Sequence, residues 1–434
     1  MKISQHIRDL ARQAERDMAD IYADIDRISE ENTEHVLDCF RECEVSEALF
    51  AASTGYGYGD RGRDMIDELS AKVFRAPAGF MRPSFMSGTH TIAVALFGIL
   101  RPGDILLSIT GTPYDTLLDV IGIGTAPAGD GSLMDFGVQF EKIEMTSDKD
   151  HPIDIPALRN ALEKFGDRVK VVYLQLSKGY ASRVTLTSGQ ITEAAYWSAK
   201  FAAELGIKKP VFMVDNCYGE FTETTEPCYV SPWIDGNHKA ADIIIGSLIK
   251  NPGGGMADIG GYIVGEPEAV RLCGNRLSCP GVGLDVGASL GQNRNLIKGL
   301  FYAPHTVAQA MKTAHLAAYM FDYLGFKVSP KWYERRADIV QTVECATPEG
   351  LSAFCLGIQS ASPIDAHVVP EAWEMPGYAD PVIMAAGAFT GGSSIELSAD
   401  GPMRAPYTAF MQGGLTYESA RLAIMAAADR IEKR

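Results

Sequence analysis

Two apolar runs that each surface with a single ionisable residue constrain this chain most. Pro210-Val211-Phe212-Met213-Val214-Asp215 and Ile243-Ile244-Ile245-Gly246-Ser247-Leu248-Ile249-Lys250 both read as short buried strands with one charge at the C-terminal end. Strands buried along their whole length belong to parallel sheets covered on both faces, and ligands collect at the C-terminal edge of such sheets. A charged lysine in an apolar stretch is costly. Burial is therefore expected to lower the pKa of Lys250 and free a neutral amine, as Schiff-base chemistry requires. The loop that follows, Asn251-Pro252-Gly253-Gly254-Gly255, has too little side chain to cover it. Taken alone, Lys250 could snorkel to water and Asp215 could cap the next turn.

Strand and helix alternate from about residue 64. Strands are expected at 105–109, 169–175, 211–214, 243–245 and 260–265, with a helix at 191–205 stopped by Gly206. This alternation predicts an α/β fold with a mostly parallel central sheet and helices on both faces. After a long helix at about 305–324 the pattern changes to a smaller C-terminal α+β part, with strands expected at 351–360 and 395–397. Helical spacing of Ile7, Leu10, Ala14, Met18, Ile21, Ile25 and Ile28 predicts a helix at 4–29, followed by one from Thr33 to about residue 43. The expected division is a helical arm at 1–55, a large α/β domain at 56–304 and a smaller domain at 305–434.

A formal charge of −16 argues against nucleic acid or an anionic membrane as partner. The N-terminus is charged rather than signal-like, and the longest apolar run, 91–100, is too short to span a bilayer. Eight scattered cysteines without a Cys-x-x-Cys pair suggest reduced thiols and a cytoplasmic protein. His35, Cys39 and Cys43 share a helix face, but no fourth ligand is evident, so no metal is expected.

Ser87-Gly88-Thr89 opens an apolar helix, so its free backbone N–H groups and hydroxyls can cradle a phosphate, although a plain helix cap would look the same. The order is then informative: phosphate cradle, aspartate after a strand, lysine after a later strand. An aspartate so placed can keep the ring nitrogen of pyridoxal phosphate protonated. With these segments, Gly55-Tyr56-Gly57-Tyr58-Gly59-Asp60-Arg61-Gly62-Arg63-Asp64, Gly111-Thr112-Pro113-Tyr114-Asp115-Thr116-Leu117 and Gln412-Gly413-Gly414-Leu415-Thr416-Tyr417-Glu418 carry a resemblance. From about residue 50 onward the chain resembles the fold-type-I pyridoxal phosphate enzymes of cysteine and methionine metabolism. Within them it is most similar to the cystathionine β-lyase/methionine γ-lyase-like family often labelled aluminium resistance protein. It departs from the better-known lyases in the Asn-Pro-Gly-Gly-Gly after Lys250 and in lacking a simple Tyr-x-Arg phosphate clamp.

The resemblance implies the following roles. Lys250 would hold the cofactor and act as base, Asp215 would pair with the ring nitrogen, and Ser87, Gly88, Thr89 and Ser247 would bind the phosphate. Tyr114 would stack on the ring and, with a pKa lowered by cationic neighbours, protonate the leaving thiolate. One or more of Tyr56, Tyr58, Arg61 and Arg63 would cross to a partner's phosphate in a homodimer or homotetramer with active sites at the dimer interface. Arg404, or in competition Arg183, would bind the carboxylate of a small amino-acid substrate. The implied activity is carbon–sulfur elimination from a sulfur amino acid, giving ammonia and a 2-oxo acid. Alternatives are an aminotransferase and a cofactor-binding stress or metal-tolerance protein with little turnover. A dinucleotide-binding reading of Gly57–Gly62 is the weakest candidate, because no clear strand precedes it.

Overall fold

The computed structural model describes residues 3–228 and 241–433. Seven strands form the larger sheet: β1 (Ala78–Arg82), β2 (Ile105–Ser108), β3 (Gln139–Lys142), β4 (Val169–Gln175), β5 (Val211–Asp215), β6 (Ile243–Ser247) and β7 (Gly261–Gly265). Their order is β1-β7-β6-β5-β4-β2-β3. The strands from β6 to β3 are parallel, while β7 runs antiparallel to both β6 and β1. The middle strands are apolar and buried nearly throughout, because helices cover both faces. Their polar residues fall at the C-terminal ends, so Gln175, Asp215 and Ser247 line up along one edge.

A second, antiparallel sheet of five strands contains β8 (Lys327–Ser329), β9 (Gln341–Glu344), β10 (Val382–Ala385), β11 (Ser398–Pro402) and β12 (Thr408–Gln412), in the order β10-β11-β12-β9-β8. Helices Pro348–Gln359 and Tyr417–Glu432 cover one face. They cross closely at Gly357, where any Cβ would collide with the backbone of Ala427.

Several expected elements differ. The N-terminal arm breaks at Met18 into Gln5–Asp17 and Ala19–Glu42, and Thr33 lies inside the second helix rather than capping one. The break has a packing cause. Ile7, Leu10, Ala14 and Met18 serve the core of the second sheet, whereas Ile25, Val36 and Cys39 serve that of the first. The long helix begins at Asn293 and runs to Tyr323 with Pro304 inside it, so residue 304 is not a boundary of secondary structure. An interior proline costs about 3 kcal/mol. Here the helix feeds both cores, through Leu296, Leu300 and Val307 on one side and Leu316, Met320 and Phe321 on the other, which offsets that cost. The strand expected at 351–360 is the helix Pro348–Gln359. A short apolar run does not separate the two forms, but Thr347 capping Gly350 with Pro348 at the first turn was a helix signal. The strand expected at 395–397 starts instead at Ser398.

Candidate active site

A cavity of about 310 Å³ lies where the C-terminal edge of β4, β5 and β6 faces the second sheet. Of the residues expected at a site, Ser87, Gly88, Thr89, Tyr114, Asp215, Ser247 and Lys250 all line it. It also takes in Tyr180, Cys217, Tyr218, Tyr378 and Asp400, to which no site role was given, and Gln412, which opens one of the segments that carry the resemblance.

Asp215 ends β5 and is buried, with the Cys217 N–H donating to its Oδ1 at 3.1 Å. Burial raises its pKa, opposed by Lys250 and by hydrogen bonds from Cys217. The chain then turns through Tyr218, which holds a φ of +73°, a strained value for a non-glycine residue. That turn lays the Tyr218 ring under Lys250, whose Nζ is 4.0 Å from the ring centroid. Lys250 departs from expectation in the direction of its pKa. Burial does pull its pKa down, but Cys217, Tyr218, Asp215 and Tyr114 outweigh burial and hold it well above the usual value.

Helix Gly88–Ile99 points its N-terminus into the cavity. Ser87 Oγ caps it by accepting from His90 N–H at 3.1 Å. Opposite, Ser247 Oγ is buried and has no hydrogen-bond partner. A Cβ on Gly88 would stand 3.3 Å from Ser247 Cβ, so the missing side chain leaves room between the two segments. Thr89 Oγ1 shares hydrogen bonds with Tyr114 OH (2.7 Å) and Thr116 Oγ1 (2.8 Å). Tyr114 N–H donates to Gln175 Oε1 at 2.9 Å, which ties the tyrosine to the end of β4. The Tyr114 phenol is raised rather than lowered in pKa, by burial first and by Asp215 second. No arginine of the described residues lines the cavity to lower it.

The expected arginines are committed elsewhere. Arg404 is half-exposed and paired with Asp380 at 2.6 Å, outside the cavity. Arg183 lies behind the sheet edge, donating to the carbonyls of Thr110 and Ser177 and acting on Asp215 only through its field. Arg63 is buried in the first turn of the helix Arg61–Val73, donating to the carbonyls of Gly57 (2.8 Å), Gly287 (3.2 Å) and Asp285 (3.4 Å). Tyr56 and Tyr58 are 74% and 70% exposed and stack on each other at 5.5 Å, away from the cavity. His35 Nε2 bonds the carbonyl of Val73 at 3.0 Å, with Cys39 Sγ 3.7 Å from the ring nitrogen.

A mostly parallel sheet with a lysine and an aspartate at its C-terminal edge, joined to a smaller α+β sheet, is the fold-type-I architecture. The Escherichia coli pyridoxal-5'-phosphate dependent protein YhfS has this fold, with a TM-score of 0.59 at 14% identity over 93% of this chain and 96% of that one. The profile of the methionine gamma-lyase family matches residues 7–432, and the chain belongs to that family. The Bacillus subtilis protein YnbB is 46% identical over 428 residues, 99% of this chain and 97% of its own. A Clostridium novyi structure described as a carbon–sulfur lyase involved in aluminum resistance has a TM-score of 0.89 at 40% identity, covering 99% of this chain and 96% of that one. A Listeria monocytogenes structure, described as a candidate cystathionine beta-lyase involved in aluminum resistance, has a TM-score of 0.89 at 43% identity and covers 98% and 100%. Among the described residues no helix is long and apolar enough to cross a membrane.

Proposed function

We propose that this protein is a pyridoxal phosphate-dependent carbon–sulfur lyase. It would eliminate a thiol from a sulfur amino acid, as a methionine γ-lyase or a cystathionine β- or γ-lyase does, and leave ammonia and a 2-oxo acid. One observation carries the reading: an amine (Lys250), a buried carboxylate (Asp215) and a buried hydroxyl without a partner (Ser247) meet in a single cavity before a helix N-terminus. These groups fit the cofactor. Ser247 Oγ and the free N–H groups of Gly88 and Thr89 suit a phosphate. Asp215, raised by burial, is stabilised by any cation brought to it, such as a protonated ring nitrogen.

When bound, pyridoxal phosphate supplies an electron sink for the charge released at the substrate α-carbon. Lys250 Nζ would anchor it and, once freed by substrate, take the α-proton. The Tyr114 ring would lie against the pyridine face, and its hydroxyl would donate a proton to the departing sulfur. The raised pKa keeps that phenol protonated, which is the form a donor needs.

The exposed Tyr56–Tyr58 stack and exposed Arg61 favour a homodimer or homotetramer in which this loop reaches a second copy's phosphate site. Arg63, which ties the Gly57 turn to the Gly287 segment, would shape that reach rather than make it. The thiols and charge suit a cytoplasmic enzyme. The carbon–sulfur lyase description of the Clostridium novyi relative supports the chemistry.

Borohydride reduction of the yellow protein should fix the cofactor on Lys250, and a screen of sulfur amino acids should release thiol and 2-oxo acid. Ammonia release that needs no keto-acid acceptor separates a lyase from an aminotransferase. An adduct on another lysine, or no turnover of any sulfur amino acid, would sink the reading.

A further inference from the structure

We propose that Asp400 selects the far end of the substrate, accepting a second ammonium group that lies beyond the sulfur. The inference rests on the reading of the cavity as the amino-acid site, and narrows the substrates to sulfur amino acids whose leaving half is itself an amine.

Asp400 lies on β11, the strand between β10 and β12, in register with Met384 on one side and Phe410 on the other. All three line the cavity that Lys250 and Asp215 also line. Met375 and Tyr378 add further thioether and aromatic surface to the lining. The carboxylate is 3% exposed and clamped by three neutral donors: Tyr180 OH to Oδ1 at 2.7 Å, Ser393 Oγ to Oδ2 at 2.8 Å and Gln412 Nε2 to Oδ2 at 3.3 Å. Three separate segments of chain thus converge to orient one acid. None of the three supplies charge. Among the described residues the only lysine or arginine lining the cavity is Lys250, and the proposed reaction commits its amine to the cofactor. Asp115 adds a further acid to the lining, while Asp215 is committed to the cofactor as Lys250 is. A buried carboxylate without a cation is costly, and a site built around one binds the ligand that brings the cation. An α-carboxylate is the wrong complement for this lining; a distal ammonium is the right one.

Calorimetry on the cofactor-loaded protein tests this with L-lysine and L-norleucine, which share a carbon chain and differ by the terminal ammonium. L-lysine should bind more tightly by on the order of 10-fold or more. Asp400→Asn should bring the two affinities together while leaving that for L-norleucine nearly unchanged, which also reports that the variant is folded. Equal affinities in the wild-type protein overturn the proposal without any variant. So does an Asp400→Asn variant that weakens both ligands alike. A protein that prefers L-lysine through Asp400 yet cleaves no carbon–sulfur bond would uphold this subsite and refute the lyase reading, so the two failures are distinguishable.

Discussion

Replacing Gly88 by alanine asks whether the helix Gly88–Ile99 presents its N-terminus to a phosphate. The added Cβ would stand 3.3 Å from Ser247 Cβ and 3.6 Å from Cys217 Sγ. The first contact is tight and the second ordinary, and Gly88 has no left-handed backbone to strain. The fold should therefore lose no more than about 1 kcal/mol, and helix propensity favours alanine by up to about the same amount. Ligand binding should suffer far more. The methyl fills the gap between the Gly88 N–H and the unpartnered Ser247 Oγ, where an anion would collect bonds from both sides. Losing one charge-assisted hydrogen bond costs about 1.5–3 kcal/mol, or about 10- to 100-fold in Kd. Absorbance titration of the apo protein with pyridoxal phosphate measures that loss, and a thermal melt without cofactor measures the fold. Weak binding with an apo Tm within a few degrees of wild type is the expected pair of results. Native affinity would place the phosphate elsewhere and undo the assignment of this cradle. Gly246→Ala is the contrasting variant, because its methyl would collide with Tyr262 and Glu220 in the packed interior and should lower the apo Tm itself.

Asp215→Asn should cut turnover on the order of 10²-fold or more while costing little cofactor affinity, since asparagine cannot favour a protonated ring nitrogen; near-native kcat would reduce Asp215 to a turn-forming residue. Tyr114→Phe should keep cofactor binding and α-proton exchange with solvent but slow thiol release, and equal loss of exchange and release would make Tyr114 a positioning residue. Burial pushes the Glu226 carboxyl up to about 7 from its usual 4.5. A carboxyl raised in the folded state stabilises folding most below its ordinary pKa and loses that contribution as pH climbs through its folded one. Glu226 should thus withdraw about 3 kcal/mol between roughly pH 4.5 and 7. Glu226→Gln should flatten that part of the stability profile; denaturant midpoints that fall with pH as steeply in the variant as in wild type would contradict it.

Local signals were enough to read the strands β4, β5 and β6 and the polar residues at their ends. A run of apolar residues stopped by one charge reports burial and its limit without reference to the rest of the chain. The same holds for Ser87-Gly88-Thr89, because a helix N-terminus carries its unpaired N–H groups wherever it goes. Lys250, Asp215, Ser247 and that tripeptide accordingly line one cavity. The arginines were not legible, because sequence shows a charge but not its direction: Arg63 turns onto the carbonyls of Gly57 and Gly287, Arg183 onto those of Thr110 and Ser177, and Arg404 onto Asp380. Nor was the upward pKa shift of Lys250, which depends on Cys217, Tyr218, Asp215 and Tyr114 meeting around it in space. Apolar pattern alone also read 351–360 as a strand, where the chain forms a helix. Tertiary packing, in which Gly357 lets that helix press against Ala427, decided it. Asp400 is the clearest case. Tyr180, Ser393 and Gln412 come from separate stretches of chain, and their convergence on one carboxylate exists only once the two sheets have docked across the cavity. Strand ends and helix starts are properties of a few consecutive residues, whereas the partner of a buried charge is a property of the fold.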